Sequence, residues 1–282
     1  MFITIHIYYL LYLNNDAMII KIPEEYEDSI NTILSITPEA YLVGGYIRDA
    51  LIGIDNKDAD IDIAVNGKYI DSIKEAFEKK KYTVNIDGLK FGVITVYLQD
   101  GSNVDIAEFR NESYDSSSRK PNVKQSDNIY DDVSRRDFTI TAMAYNLKTK
   151  ELVDLFNGQR DIKNKIIRAV GNPDERFNED PLRILRGIRL ASKLNFEIEQ
   201  KTLESMGRNA KKLEKVSGER IREELIKGLE ANPKRFFMLL EKSRVLYTLI
   251  EELEGAKDLK HDNRHGHYGE NLIEHIIDVL DW

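Results

Sequence analysis

Two periodicities divide the chain. Up to about Leu155, stretches with apolar residues at helical spacing (25–36 and 72–80) alternate with short β-branched runs at 61–65, 93–98 and 104–107. Alternation with a period of two puts successive side chains on opposite faces, so these runs predict half-buried strands and the mixture predicts an α/β head. After 166–170 the strand signals stop. Helical patterns follow at 181–194, 198–210, 219–229 and 233–242, which predicts an all-α second half. Gly158, Gly171 with Asn172-Pro173, and Gly218 punctuate the change, while Ser116-Ser117-Ser118 and Pro121 mark a polar loop inside the head.

Composition narrows the function classes. With 282 residues, 41% of them hydrophobic and 32% charged, the chain can bury the cores of two or three compact units, and overall disorder is excluded. The absence of cysteine excludes disulfides and thiolate metal sites, leaving oxygen and imidazole as metal ligands. Residues 2–13 are apolar and aromatic but shorter than a bilayer span, with neither a basic residue before them nor a small-residue cleavage site after them. No membrane association is expected, and a cytoplasmic location is the default. Residues 1–17, ahead of Met18, read either as an edge strand or as an upstream translation-start artefact. The net charge of −8 argues against a generally adhesive nucleic-acid binder. One window, 160–222, is nonetheless basic, with 16 Lys and Arg against 10 Asp and Glu.

The first candidate for chemistry is Leu42-Val43-Gly44-Gly45-Tyr46-Ile47-Arg48-Asp49, an apolar strand running into two glycines and a helical pattern. Paired glycines allow close backbone approach to a ligand, and amides at a helix start favour a polyphosphate. The competing reading is an ordinary strand-to-helix turn. The second is Asp58-Ala59-Asp60-Ile61-Asp62-Ile63-Ala64-Val65, where Asp60 and Asp62 project from one face of a strand whose Ile61, Ile63 and Val65 face the core. Two adjacent carboxylates repel unless a cation neutralises them, and hard oxygen ligands suit Mg²⁺ with substrate phosphates. Two ions about 3.5 to 4 Å apart would serve an in-line displacement of pyrophosphate by a 3′-hydroxyl. A solvated acidic strand face is the alternative. Asp105, between Val104 and Ile106, either joins this pair from a neighbouring strand or is an edge-strand charge.

Gly44-Gly45-x-x-Arg48-Asp49 followed by Asp60-x-Asp62 resembles the head of the polymerase-β-like nucleotidyltransferases. Three further blocks, Arg135-Arg136-Asp137-Phe138-Thr139, Asp154-Leu155-Phe156-Asn157-Gly158 and Glu179-Asp180-Pro181-Leu182-Arg183-Ile184-Leu185-Arg186, are similar to the class II tRNA nucleotidyltransferase (CCA-adding) and bacterial poly(A) polymerase family. The motifs span roughly residues 40 to 230.

The resemblance implies an α/β polymerase-β-like nucleotidyltransferase head, followed by an all-α neck and a truncated helical body. Head, neck and body are assigned to 18–155, 156–230 and 231–282. It further implies catalytic Asp60, Asp62 and Asp105, with Mg²⁺ on Asp60 and Asp62, and a nucleotide site of Gly44, Gly45, Arg48, Arg135, Arg136, Asp137, Asp180, Arg183 and Arg186. Phe109-Arg110-Asn111-Glu112 would open a mobile loop. For Arg135 and Arg136, phosphate or ribose contact is chemically reasonable because guanidinium forks pair with oxyanions; salt bridging to Asp131 or Asp132 competes.

Pro181 suits a helix first turn, and on that helix Asp180 and Arg183, three apart, would share a face. Cytosine and adenine both present an amino donor beside a ring acceptor, so one Asp and one Arg can select C and A without a template. A surface ion pair is the alternative, although Glu179, Arg186 and Arg189 crowd the same helix start. Lys211, Lys212, Lys215, Arg220 and Arg222 read either as phosphate contacts or as a solvated helix face.

His261-Asp262-Asn263-Arg264-His265-Gly266-His267 with His275 offers metal-type ligands and resembles the opening of an HD phosphohydrolase domain, whose later ligands would lie beyond Trp282. A polar loop with exposed histidines is the preferred reading. The function expected is metal-dependent, template-independent addition of C and A from CTP and ATP to the tRNA 3′ end. Poly(A) addition, CC-only or A-only addition, and a non-catalytic RNA-binding remnant are the alternatives; no oligomeric state is assigned.

Overall fold

The computed structural model describes residues 20–54, 61–113, 122–256, 258–259 and 271–280. Residues 1–17, Asp60, the 116–121 loop and the histidines at 261–267 lie outside the described residues. The chain divides into two compact units. The first takes in the described residues of 20–112, 123–135 and 141–155; the second takes in those of 113, 122, 136–140 and 156–280. Residues 136–140 thus go with the second unit, although the sequence pattern puts them in the head.

Up to Leu155 the described chain runs α1 (Glu27–Leu34), β1 (Ala40–Val43), α2 (Gly45–Ile52), β2 (Ile61–Val65), α3 (Ile70–Lys79), β3 (Thr83–Asn85), β4 (Val93–Tyr97), β5 (Asn103–Glu108), β6 (Arg110–Ser113), β7 (Asn122–Gln125), α4 (Ile129–Ser134), β8 (Ala144–Asn146) and β9 (Leu152–Val153). Seven strands form one sheet in the order β3-β4-β5-β2-β1-β8-β9, and β6 pairs with β7 separately. Within the large sheet β2 and β5 are parallel, while β1 is antiparallel to both β2 and β8.

Alternation builds the core of the first unit. Ile61, Ile63, Val65, Val104 and Ile106 are fully buried on the central strands. Against β3, β4 and β5 packs α3, with Ile70, Ile73 and Phe77 at i, i+3 and i+7 forming its buried stripe. That stripe follows from helical spacing, as the one face of β2 follows from strand spacing. The opposite face of β2 and β5 is left to Asp62 and Asp105.

In the second unit the elements are α5 (Gly158–Lys163), β10 (Ile166–Ile167), α6 (Pro173–Glu179), α7 (Leu182–Leu194), β11 (Glu197–Ile198), α8 (Gln200–Asn209), α9 (Gly218–Ala231), α10 (Pro233–Lys242), α11 (Leu246–Leu249) and α12 (Leu272–Val279). The centre is α7, against which α9 and α10 pack. Phe138, fully buried, approaches α7 at Gly187, where a Cβ would stand 2.5 Å from Phe138 Cζ and 2.6 Å from Met206 Cε. The Arg189 and Glu224 side chains pair at 2.6 Å between α7 and α9.

Three departures from the pattern have local causes. Asn172-Pro173, read as punctuation, starts α6: the Asn172 side chain accepts from the Asp174 N–H and Pro173 supplies a pre-set first turn. The helix expected from 198 begins at Gln200, because Glu197 and Ile198 first pair in parallel with Ile166 and Ile167. Strand structure therefore continues past 170, as one short ribbon. Among the described residues no helix is long and apolar enough to cross a membrane.

Candidate active site

Asp62 lies on β2 opposite Val43 of β1, so its carboxylate stands beside the turn that follows Val43. Gly44 at that turn has φ +82° and ψ −148°, a backbone conformation essentially confined to glycine. A Cβ there would lie 2.8 Å from Asp62 Oδ2. The first glycine of the pair therefore has two reasons to be glycine, and the second is the proximity of the carboxylate. At Gly45 the chain enters α2, whose Arg48 is buried and donates from Nε to Asp49 Oδ1 at 2.6 Å. In this state the Arg48 guanidinium engages its own neighbour.

Asp105 is in direct parallel register with Asp62, on the strand beside it. Because β5 lies between β4 and β2, Asp105 is not an edge-strand charge. Its Oδ1 accepts from the Thr95 hydroxyl at 2.6 Å, from the cross-strand position on β4. The hydroxyl leaves the second oxygen and the remaining lone pairs of the first to other partners. Two carboxylates at one level of adjacent strands, with a glycine where a Cβ would crowd one of them, suit a hard divalent cation. Asp60 lies outside the described residues, and among the described residues no cluster of three or more His, Asp or Glu could hold a metal ion.

Arg135, at the end of α4, is turned onto Asp132, whose side chain is almost fully buried. Nε and Nη2 of Arg135 reach Asp132 Oδ1 at 3.1 and 2.7 Å. The salt bridge that the sequence allowed between Arg135 and Asp132 is present. Arg136 begins the next segment, which belongs to the second unit.

That segment is stitched into the second unit by its backbone. Phe138 bridges Ala169, Val170 N–H donates to the Asp137 carbonyl, and Thr139 N–H donates to the Arg168 carbonyl. Asp137 accepts at Oδ1 from the Phe138 N–H and at Oδ2 from Arg186 Nε at 2.8 Å. The Asp137 charge, the largest influence on Arg186, pushes the guanidinium pKa above its ordinary value and keeps the charge fixed.

Asp180 and Arg183 are each braced by residues outside the pair. Asp180 precedes α7 with extended backbone rather than sitting on it. Its Oδ1 accepts from the Leu182 N–H, and its Oδ2 accepts from Arg220 Nη2 of α9 at 2.9 Å. Arg183, buried, donates to Glu179 Oε2 at 2.5 Å and to the Arg176 carbonyl at 3.3 Å. The helix start thus carries Asp180 paired with Arg220 and Arg183 paired with Glu179. Arg189, which the sequence places in the same crowd, is instead the structural partner of Glu224.

Of the bracing residues, Thr95 carries no signal of its own in the sequence, Asp132 stands there only as one of two alternative ion-pair partners, and Arg220 looks like part of a basic surface while its guanidinium holds Asp180. Of the remaining basic residues, Lys211, Lys215 and Arg222 are exposed or half-exposed, whereas Lys212 reaches the side-chain oxygens of Asn178 and Asn209. His275 lies on α12.

Residues 40–168 match the family described as Poly A polymerase head domain, and residues 195–257 match the Probable RNA and SrmB- binding site of polymerase A. The chain is 41% identical to a CCA-adding enzyme of Lactobacillus helveticus over 223 residues, 78% of this chain and 53% of that protein. It is 43% identical to the CCA-adding enzyme of Enterococcus faecalis over 213 residues, 74% of this chain and 50% of that protein. The chain thus spans about half the length of the curated relatives it matches. Among solved structures, Bacillus stearothermophilus CCA-adding enzyme in complex with CTP superposes with a TM-score of 0.66 at 29% identity, covering 78% of this chain and 52% of that one. Thermotoga maritima CCA-adding enzyme complexed with tRNA_CCA superposes with a TM-score of 0.67 at 31% identity, covering 84% and 55%. Head and RNA-binding matches in their expected order, relatives of this identity and the same fold together mean that the chain belongs to the family of class II CCA-adding enzymes and bacterial poly(A) polymerases.

Proposed function

We propose that this chain is a template-independent RNA nucleotidyltransferase that adds C and A from CTP and ATP to the 3′ end of tRNA. The observation that carries the reading is the in-register pair Asp62 and Asp105 beside Gly44, within the segment matched to the head domain. Relatives named for CCA addition, with structures solved with CTP, ATP and tRNA, supply the substrate class.

In this reading Asp62 and Asp105, with Asp60 two positions before Asp62 in the sequence, would hold Mg²⁺. When bound, Mg²⁺ would supply the positive charge that favours an attacking 3′-alkoxide and offsets the charge of the departing pyrophosphate. The 3′-oxygen forms its bond to the α-phosphorus while the bond to the β-phosphate bridge breaks. Gly44 and Gly45 give the phosphates close access to the amides at the start of α2. Arg135 and Arg136 grip phosphate or ribose. Asp180 accepts from the amino group of cytosine or adenine and Arg183 donates to the ring acceptor, while uracil and guanine present a carbonyl where Asp180 requires a donor. Asp137 with Arg186 buttresses the same helix start. Residues 156–230 then act as a neck and 231–282 as part of a helical body, with Lys211, Lys215 and Arg222 on the tRNA backbone.

The test is extension of tRNA transcripts ending before CCA, before CA and before A, with each labelled nucleotide and Mg²⁺. Stepwise C, C, A addition that then stops is expected. Long A tails, or CC-only or A-only products, would move the chain to those activities within the family. Folded protein that extends none of the three overturns the proposal.

A further inference from the structure

Asp132 is a buried carboxylate that belongs neither to the acidic strand face nor to the base-reading helix start. Its side chain is 1% exposed. Such burial is stable only when the charge is paired and hydrogen-bonded, and three N–H donors meet on Oδ1: Arg135 Nε at 3.1 Å, Arg135 Nη2 at 2.7 Å and the backbone amide of Arg110 at 3.4 Å.

The position of Arg110 gives this contact its consequence. Phe109, one residue earlier, is buried; its N–H donates at 2.8 Å to the carbonyl of Val65, the last residue of β2, and its carbonyl accepts from the Ser126 N–H at 3.0 Å. Arg110 is therefore fixed to the C-terminal ends of β2 and β5, the two strands that carry Asp62 and Asp105 toward their opposite ends. Through Asp132 the same anchor reaches the Arg135 guanidinium, which keeps 23% of its side-chain surface exposed.

We propose that Asp132 is a positioning residue for nucleotide binding: it holds the Arg135 fork at a set place relative to strands β2 and β5, so that the fork meets an oxyanion already oriented. The inference rests on the reading of Arg135 as a nucleotide contact. It predicts that the charge on Asp132 matters through Arg135 and not through the fold alone.

The experiment is a double-mutant cycle of Asp132→Asn and Arg135→Ala, read by CTP binding in equilibrium dialysis and by KM and kcat for CMP incorporation. The Asp132→Asn substitution keeps an acceptor for the Arg110 amide and removes the charge. Nucleotide affinity should therefore fall about tenfold in Asp132→Asn, and much less when Arg135 is already absent. Arg135→Lys, which keeps the charge and loses the planar fork, should show the same loss. Equal losses of affinity in both backgrounds, or a lower melting temperature with unchanged affinity, would overturn the proposal and leave Asp132 a structural residue. If the wild-type protein binds CTP but extends no RNA, the proposed activity fails while the binding cycle still decides the role of Asp132. If it does not bind CTP, both fail.

Discussion

Replacing Gly44 with alanine should separate catalysis from folding. The cost to stability comes from φ +82° and ψ −148°, where a side chain is strained by about 1 to 3 kcal/mol. Against a typical total of about 5 to 15 kcal/mol, that leaves the head folded. The cost to chemistry comes from the new Cβ, 2.8 Å from Asp62 Oδ2, where ordinary contact begins at 3.4 Å. The carboxylate must retreat by roughly 0.6 Å, and since a misplacement of about 1 Å in a reacting assembly costs on the order of a hundredfold, a loss of about tenfold to a hundredfold in kcat is expected. Denaturant melts would give the first quantity and single-turnover CMP incorporation into a tRNA lacking CCA the second. A folded Gly44→Ala protein with wild-type turnover would refute the argument that the Gly44 gap and the Asp62 carboxylate form one functional unit.

Other perturbations test separate parts of the account. Gly187→Ala should destabilise the second unit by about 1 to 3 kcal/mol, because Phe138 and Met206 are buried and close to the added methyl; an unchanged melting temperature would contradict that packing. Arg189→Ala should cost about 3 to 5 kcal/mol by stranding Glu224, whereas Arg189→Met with Glu224→Leu should recover most of it; equal melting of the single and double variants would contradict the pairing. Asp180→Ala should relax base choice more than it slows extension, so that UMP incorporation rises relative to CMP in four-nucleotide competition; unaltered selectivity would remove Asp180 from base reading. The Asp174 carboxyl is held below the usual carboxylate range, first by the Ser205 hydroxyl and then by Arg208 and Asn209. A lowered folded pKa contributes stability above the unfolded value of about 3.9 and loses it as pH falls through the folded value. Asp174→Asn should therefore melt below wild type at pH 7, with the gap closing as the pH falls below about 4; a gap constant over that range would contradict the assignment.

How far the sequence reaches depends on whether a residue's role is repeated by its neighbours. The central strands were legible because Ile61, Ile63 and Val65, or Val104 and Ile106, repeat one rule at a period of two. Strand β8 was not, since Ala144, Tyr145 and Asn146 are all buried and alternation disappears. Helix α6 was missed because Asn-Pro terminates one helix as readily as it caps the next. At the site, the acidic strand pattern placed Asp62 and pointed to Asp105, whose register no local pattern could give. The arrangement around Asp180 ran the other way: helical spacing put it on one face with Arg183, but its extended backbone takes it off that helix and its contact to Arg220 comes from far along the chain. Asp132 shows the same limit, because adjacent Asp131 and Asp132 look alike in sequence and only the fold buries one of them.

The most direct measurement of the central claim is incorporation of labelled CMP into a tRNA lacking CCA by wild-type protein, Asp62→Asn and Asp105→Asn, at saturating CTP and Mg²⁺ and with folding matched by melting. If the in-register aspartates are the catalytic centre, Asp62→Asn should lose about a thousandfold or more, the size expected for removing several kcal/mol of transition-state charge stabilisation, and Asp105→Asn should also be severely impaired. Turnover by folded Asp62→Asn within about tenfold of wild type would place the chemistry elsewhere in the molecule.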